Sequence, residues 1–169
     1  SAGIDGDLTM EENLGRMVKA GLTFPPGAMW LYSVAIDVLG AILAKIEGTD
    51  VEGVVQKYVT GPLAMKDTSF HVTDAARLAQ PYSNSMPEPV RIGDNFKQPF
   101  VPGCAPINLG VSRAFNRHAF QGGGGCMNGT AGDIVRLLDT IRAGGGPILS
   151  PETTQAMMSN QIGPLRVIF

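Results

Sequence analysis

"FPPGAMWLYSVAIDVLGAILAKIEG", residues 24–48, decides how the rest of the chain is read. Two prolines and a glycine stop whatever precedes them. Trp30 and Tyr32 follow, and then an apolar run interrupted only by Asp37 and Lys45 before its acidic end. Ser33 is placed to cap a helix that ends near Glu47, with Gly48 at the C′ position. Val34, Ile36, Val38, Leu39, Ile42, Leu43 and Ile46 cover nearly the whole circumference of that helix. A helix apolar all round is expected at the centre of a fold. The polar pair Tyr32-Ser33 at its mouth is what needs explaining.

Outward from this helix, start and stop signals are clear. Thr9 and Glu12 have the spacing of a capping box, and Leu14, Met17 and Val18 give one apolar face to a helix ending at about Ala20. Asp50 caps a third helix through about Val59, which Gly61-Pro62 stops. Residues 62–70 read as a turn entering an extended segment, and residues 74–79 as one short helical turn. Residues 81–125 are rich in Pro, Gly and Asn and predict a long irregular segment with one short strand or helix. That length is unusual in a compact domain unless the segment is functional or packs on something else. Thr130 caps a helix with Ile134, Leu137, Leu138 and Ile141 on one face, ended by the glycines at 144–146. Ser150-Pro151 opens a last helix reaching about Ser159. Only "LRVIF", residues 165–169, reads as strand. The expected fold class is mostly α: a single helical unit over residues 1–169 with little sheet of its own.

Composition narrows the function. With 169 residues, 44% hydrophobic and 17% charged, the chain can bury a core. A net charge of −2 leaves no electrostatic footprint for nucleic acid, and no Lys/Arg block faces an anionic membrane. The longest apolar-or-glycine run, residues 38–44, is too short to span a bilayer. The first ten residues lack the basic and apolar regions of a signal peptide and carry no start Met. A soluble protein is expected, with the cytoplasm favoured over a periplasmic or secreted location. Cys104 and Cys126 are 22 positions apart and read as free thiols rather than a disulfide. His71 and His118 do not have ligand spacing, so neither a metal nor a cofactor is expected. Together with Arg113 they read as solvated or satisfied polar residues, and Met127, Met157 and Met158 as core filler.

The tetraglycine at 122–125 fits no phosphate cradle. A dinucleotide fingerprint would need its third glycine where Met127 or Asn128 stands, and a P-loop would need Lys-Ser/Thr after the last glycine. Two readings remain for Gly123 and Gly124: a tight loop entering the helix capped by Thr130, or small residues that leave room for substrate at the mouth of a cleft.

Several ordered segments resemble one family. Pro26-Gly27 before Tyr32-Ser33-Val34, Leu39-Gly40 on the following helix, "PLAMKDTSF" at 62–70, "GGGGCMNGTAGDIVRLL" at 122–138 and "ILSPETTQAMMSNQ" at 148–161 occur in the order seen in serine β-lactamase-related hydrolases. The resemblance is closest to class C enzymes, carboxylesterases of that fold and penicillin-binding-protein-like proteins. It runs from about Leu8 onward, with Ala64 where the family usually has Gly. It implies a Ser-Lys-Tyr acyl-enzyme mechanism in which Tyr32 relays a proton between the nucleophilic Ser and the leaving group. Ser33 is then the middle residue of the Tyr-x-Asn motif, and Val34 occupies the Asn position. Val cannot hydrogen-bond the amide of a β-lactam, so esters are favoured as substrates.

The family's Ser-x-x-Lys motif is absent: none of the eight serines has Lys three residues on. Its Lys-Thr-Gly motif is absent too. By the resemblance, both belong to regions before residue 1 and after residue 169. The expectation is a helical subdomain separated from its α/β partner and inactive alone, which exposes or self-associates through an apolar surface. Two alternatives stand beside it. One is a non-catalytic helical interaction module. The other is a small complete hydrolase whose nucleophile is Ser33, although a helix-capping Ser33 is the simpler account.

Overall fold

The computed structural model describes residues 8–98, 106–108, 110–165 and 167–168. It is rich in helix and poor in sheet. Helix α1, Met10–Ala20, opens on the expected capping box: the Glu12 N–H donates to the Thr9 hydroxyl at 3.2 Å, and the Thr9 N–H donates to Glu12 at 2.8 Å. Strand β1 is Trp30–Leu31, and helix α2 is Ala35–Glu47 with Gly48 in the left-handed conformation at its end. Helix α3, Val51–Val55, is capped by Asp50, which accepts from the Gly53 N–H at 2.8 Å. It continues as a π-helical turn, Gln56–Thr60, so the helical stretch has the predicted length with a wider last turn. A short 3₁₀ turn, Ala75–Arg77, occupies the predicted place behind Asp74.

The irregular segment contains two small antiparallel ladders, β2 (Tyr82–Ser83) with β3 (Val90–Arg91) and β4 (Lys97–Gln98) with β5 (Ile107–Asn108). A 3₁₀ turn follows at Val111–Phe115. Helix α4, Ala131–Arg142, begins at Thr130 as predicted, and α5, Pro151–Met157, begins at Ser150 but stops two residues short of Ser159. The strand expected near the end is β6, Val167–Ile168, and it pairs in parallel with β1, which the apolar pattern had not distinguished from the helix approach. Cys104 lies outside the described residues, and with it any pairing to Cys126, which carries an exposed free thiol.

The core corrects one expectation. It forms around Ala44, Val51, Val54 and Phe70, with Met10, Val55 and Met127 packed against it. From α2 only Asp37, Gly40 and Ala44 are buried, while Ile36, Leu39, Ile42, Leu43 and Ile46 are 53, 51, 50, 41 and 72% exposed. At 3.6 residues per turn Leu39, Ile42, Leu43 and Ile46 lie on the far face from Asp37, Gly40 and Ala44, and Ile36 lies at the edge, beside the glycine loop. An all-round apolar helix becomes central only if neighbours stand on every side. Here α3 and the glycine loop cover one. Similar corrections apply at Val18 in α1 (80% exposed), Ile134 and Leu138 in α4, and Met157 and Met158 near the end of α5, all expected to pack inward and all exposed.

Candidate active site

Tyr32 leaves β1 and stands just ahead of α2, 69% exposed. Its neighbours differ from expectation. Val34, not Ser33, is the N-cap residue, and it makes no side-chain cap. The reason is local geometry: Val34 has φ −77° and ψ 11°, a turn that starts the helix one residue later than the serine predicts. Ser33 still serves the helix start, because its hydroxyl accepts the Ala35 N–H at 3.2 Å.

The first turns of α2 receive the glycine loop. A Cβ on Gly123 would stand 2.3 Å from the carbonyl oxygen of Ile36, and one on Gly40 would stand 3.1 Å from the Gly123 Cα. A Cβ on Gly124 would meet the Ile36 side chain at 2.7 Å. Backbone therefore lies on backbone here, and only glycine allows the approach. The fold thus gathers Tyr32, Ser33 and Val34 and the pair Gly123-Gly124 around one end of one helix. Among the described residues, cavities lined by Phe70 and His71, by Glu52 and Thr60, by Asp74 and Arg77, and by Thr9 and Gln121 open elsewhere, and these five residues line none of them.

The supports of this arrangement were not predicted. Gln121 ties the loop to α3: its amide donates to Asp50 at 3.0 Å, and its carbonyl accepts the Glu52 N–H at 2.8 Å. Glu52 in turn accepts the Phe70 N–H at 3.1 Å and contacts His71 Nδ1 at 2.7 Å. Asp133, buried at the start of α4, accepts from the Asp67 N–H, the Thr68 hydroxyl and Arg136. Ser69 and Asn128 complete the clamp as an isolated antiparallel bridge. His71 and Arg113 are thereby satisfied polar residues as expected, the latter donating to the Phe120 carbonyl at 2.6 Å. One sequence signal could have located part of this framework, namely the single acidic residue Asp37 inside an apolar helix. The partners of Gln121 and Asp133, 71 and 66 positions away, leave no local trace. Among the described residues no group of three or more His, Cys, Asp and Glu side chains could hold a metal ion. No described helix is long and apolar enough to cross a membrane.

Comparison with known proteins agrees with this architecture. Over 155 residues the chain is 41% identical to esterase EstB of Burkholderia gladioli, covering 90% of this chain and 39% of EstB. It is 27% identical over 159 residues to lovastatin esterase of Penicillium rubens, covering 91% of this chain and 37% of that protein. Among solved structures, EstCE1, "a hydrolase with promiscuous acyltransferase activity", superimposes with a TM-score of 0.81 at 36% identity, over 91% of this chain and 41% of EstCE1. Simvastatin synthase of Aspergillus terreus shares the fold, with a TM-score of 0.63 at 20% identity over 95% of this chain and 39% of that one. The chain thus spans about two fifths of the length of the curated relatives it matches first. The family described as Beta-lactamase matches residues 1–165. A match of that extent means that the chain belongs to the beta-lactamase family.

Proposed function

We propose that residues 1–169 are the helical part of a serine hydrolase that cleaves carboxylic esters, with Tyr32 as their contribution to its chemistry. The observation that carries this reading is the exposed phenol of Tyr32, 69% accessible just ahead of α2, the helix whose first turns receive the glycine loop. Ser33, Val34, Gly123 and Gly124 border the substrate. A serine hydroxyl supplied from outside these residues attacks the ester carbonyl. The Tyr32 phenol oxygen relays the hydroxyl proton to the departing alkoxide, and water then releases the acyl group as a carboxylic acid. Val34 offers no hydrogen bond to an amide, which favours esters over β-lactams. The names of the relatives, two esterases and a hydrolase with acyltransferase activity, support the same preference.

The remaining part of the enzyme is the partner this reading requires. Support comes from the outward apolar face of α2 and from a parallel pair of only two strands, because parallel sheets are stable with both faces covered.

The test has two arms. Residues 1–169 alone, incubated with a fluorophosphonate and weighed by intact mass spectrometry, gain no adduct. A stoichiometric adduct would place a reactive serine in this chain, and peptide mapping would begin at Ser33. In the longer protein that contains this chain, p-nitrophenyl butyrate is hydrolysed and Tyr32→Phe lowers kcat by about 10²–10⁴-fold. Unchanged turnover in that variant would remove Tyr32 from the mechanism.

A further inference from the structure

Asp37 has no part in the chemistry proposed above, yet it is buried to 8% exposure in a helix whose other inward residues are Gly40 and Ala44. Its carboxylate accepts the Gly124 N–H at 3.2 Å. The same oxygen would be 2.8 Å from a Cβ on Gly122, so the loop bends closely around it. Among the described residues this is the only side-chain hydrogen bond that reaches residues 122–125. A run of four glycines has no side chains with which to hold a position and the largest backbone freedom to lose. Something outside the run must fix it. A carboxylate suits that task here, since it lies in the first turn of α2, where the helix dipole favours negative charge and a charged acceptor makes a stronger bond.

We propose that Asp37 is a positioning residue: it holds Gly123 and Gly124 against the mouth of α2 and so sets the gap between the glycine loop and Tyr32. This rests on reading Tyr32, Gly123 and Gly124 as borders of the substrate site. Asp37 itself touches no substrate and acts through the loop. Packing of Gly123 on Ile36 and Gly40 limits how near the loop can come. The Asp37–Gly124 bond keeps it from lifting away.

The experiment is amide NMR on residues 1–169 as wild type, Asp37→Asn and Asp37→Ala. The Gly124 amide exchanges about tenfold or more faster in Asp37→Ala, and Asp37→Asn, whose side-chain oxygen still accepts, restores most of the protection. If Asp37→Ala fails to fold, Asp37→Leu, which fills the same space without an acceptor, takes its place and shows the same loss of protection. A Gly124 amide whose protection is indifferent to these substitutions would overturn the proposal. In the longer enzyme Asp37→Ala raises KM more than it lowers kcat, and Asp37→Asn restores KM. A Gly124 amide that loses protection as stated, in an enzyme indifferent to Tyr32→Phe, would instead sink the reading of the site and leave the Asp37 tether standing.

Discussion

The Thr68 hydroxyl donates to the buried carboxylate of Asp133 at 2.9 Å, across 65 positions of sequence. The same carboxylate takes the Asp67 N–H at 3.0 Å, and its other oxygen takes Arg136 at 3.0 Å. One side chain therefore clamps the segment before the core residue Phe70 onto the first turn of α4.

Removing that clamp is expected to be costly. Asp133→Ala leaves the part-buried Asp67 N–H and Thr68 hydroxyl without an acceptor and should lose about 1–3 kcal/mol of stability. Asp133→Asn, which keeps one oxygen, should lose less. Urea unfolding of the three proteins measures this, and a wild-type midpoint for Asp133→Ala would refute the clamp.

Two glycines of one run should respond in opposite ways. Gly123→Ala puts a methyl 2.3 Å from the Ile36 carbonyl, a backbone atom that cannot step aside. Gly125→Ala meets nothing within 4 Å. The first should cost roughly 2 kcal/mol or more by forced backbone movement, the second under about 1 kcal/mol. Thermal melts of the pair check this, and equal losses would mean that the run tolerates no side chain for another reason.

Ala64 sits at φ +53°, in the left-handed region, at the position where the family resemblance expects Gly. An L-residue there carries a penalty of about 1–2 kcal/mol. Glycine removes it but gains freedom in the unfolded chain, worth about 0.4–1 kcal/mol. Ala64→Gly should therefore range from neutral to about 1 kcal/mol more stable by denaturant titration. A clear loss of stability would show that the Ala64 methyl makes contacts that outweigh the strain.

Acid should destabilise the fold through three carboxylates, exposed Glu12 and Asp67 and half-buried Glu47. The Thr9 backbone N–H and then its hydroxyl hold Glu12 below its ordinary range, Lys57 and then Tyr58 do so for Glu47, and Arg77 does so for Asp67. Each titrates lower folded than unfolded. The stability they contribute is thus complete above the unfolded value, about 4, and is lost as pH falls through the folded values. Unfolding midpoints taken from pH 7 down to about 2.5 should fall on the acid side, and Arg77→Gln should flatten part of that fall. Added salt should weaken the Lys57 and Arg77 contributions more than the Thr9 cap. An acid limb identical in Arg77→Gln would remove Asp67 from the account.

The outward face of α2 should make residues 1–169 associate. Covering a half-exposed Leu or Ile gains roughly 1 kcal/mol, and four such side chains, Leu39, Ile42, Leu43 and Ile46, share this face. Sedimentation should show mass increasing with concentration, and Leu39→Lys with Ile46→Lys should return the chain to monomer without lowering its melting temperature. A strictly monomeric wild type at high concentration would argue that this face is inert.

Much of this protein was legible in its sequence because the relevant physics is local. Thr9, Asp50, Thr130 and Ser150 cap helices through bonds to residues three positions on, so their order on the chain suffices to find them. The ordered segments likewise identified the family, because each carries its own residue pattern. What tertiary structure decided is which side of α2 is covered. Hydrophobicity states that a surface would gain from burial but not whether a neighbour is there to bury it. The inward face turned out to be Asp37, Gly40 and Ala44, because only small residues let the glycine loop and α3 approach. Ser33 lost the cap to Val34 through a backbone turn that no side chain announces. Asp133 and Gln121 found partners 65 to 71 positions away, a distance over which sequence pattern carries no information and only chain closure in three dimensions brings donor to acceptor.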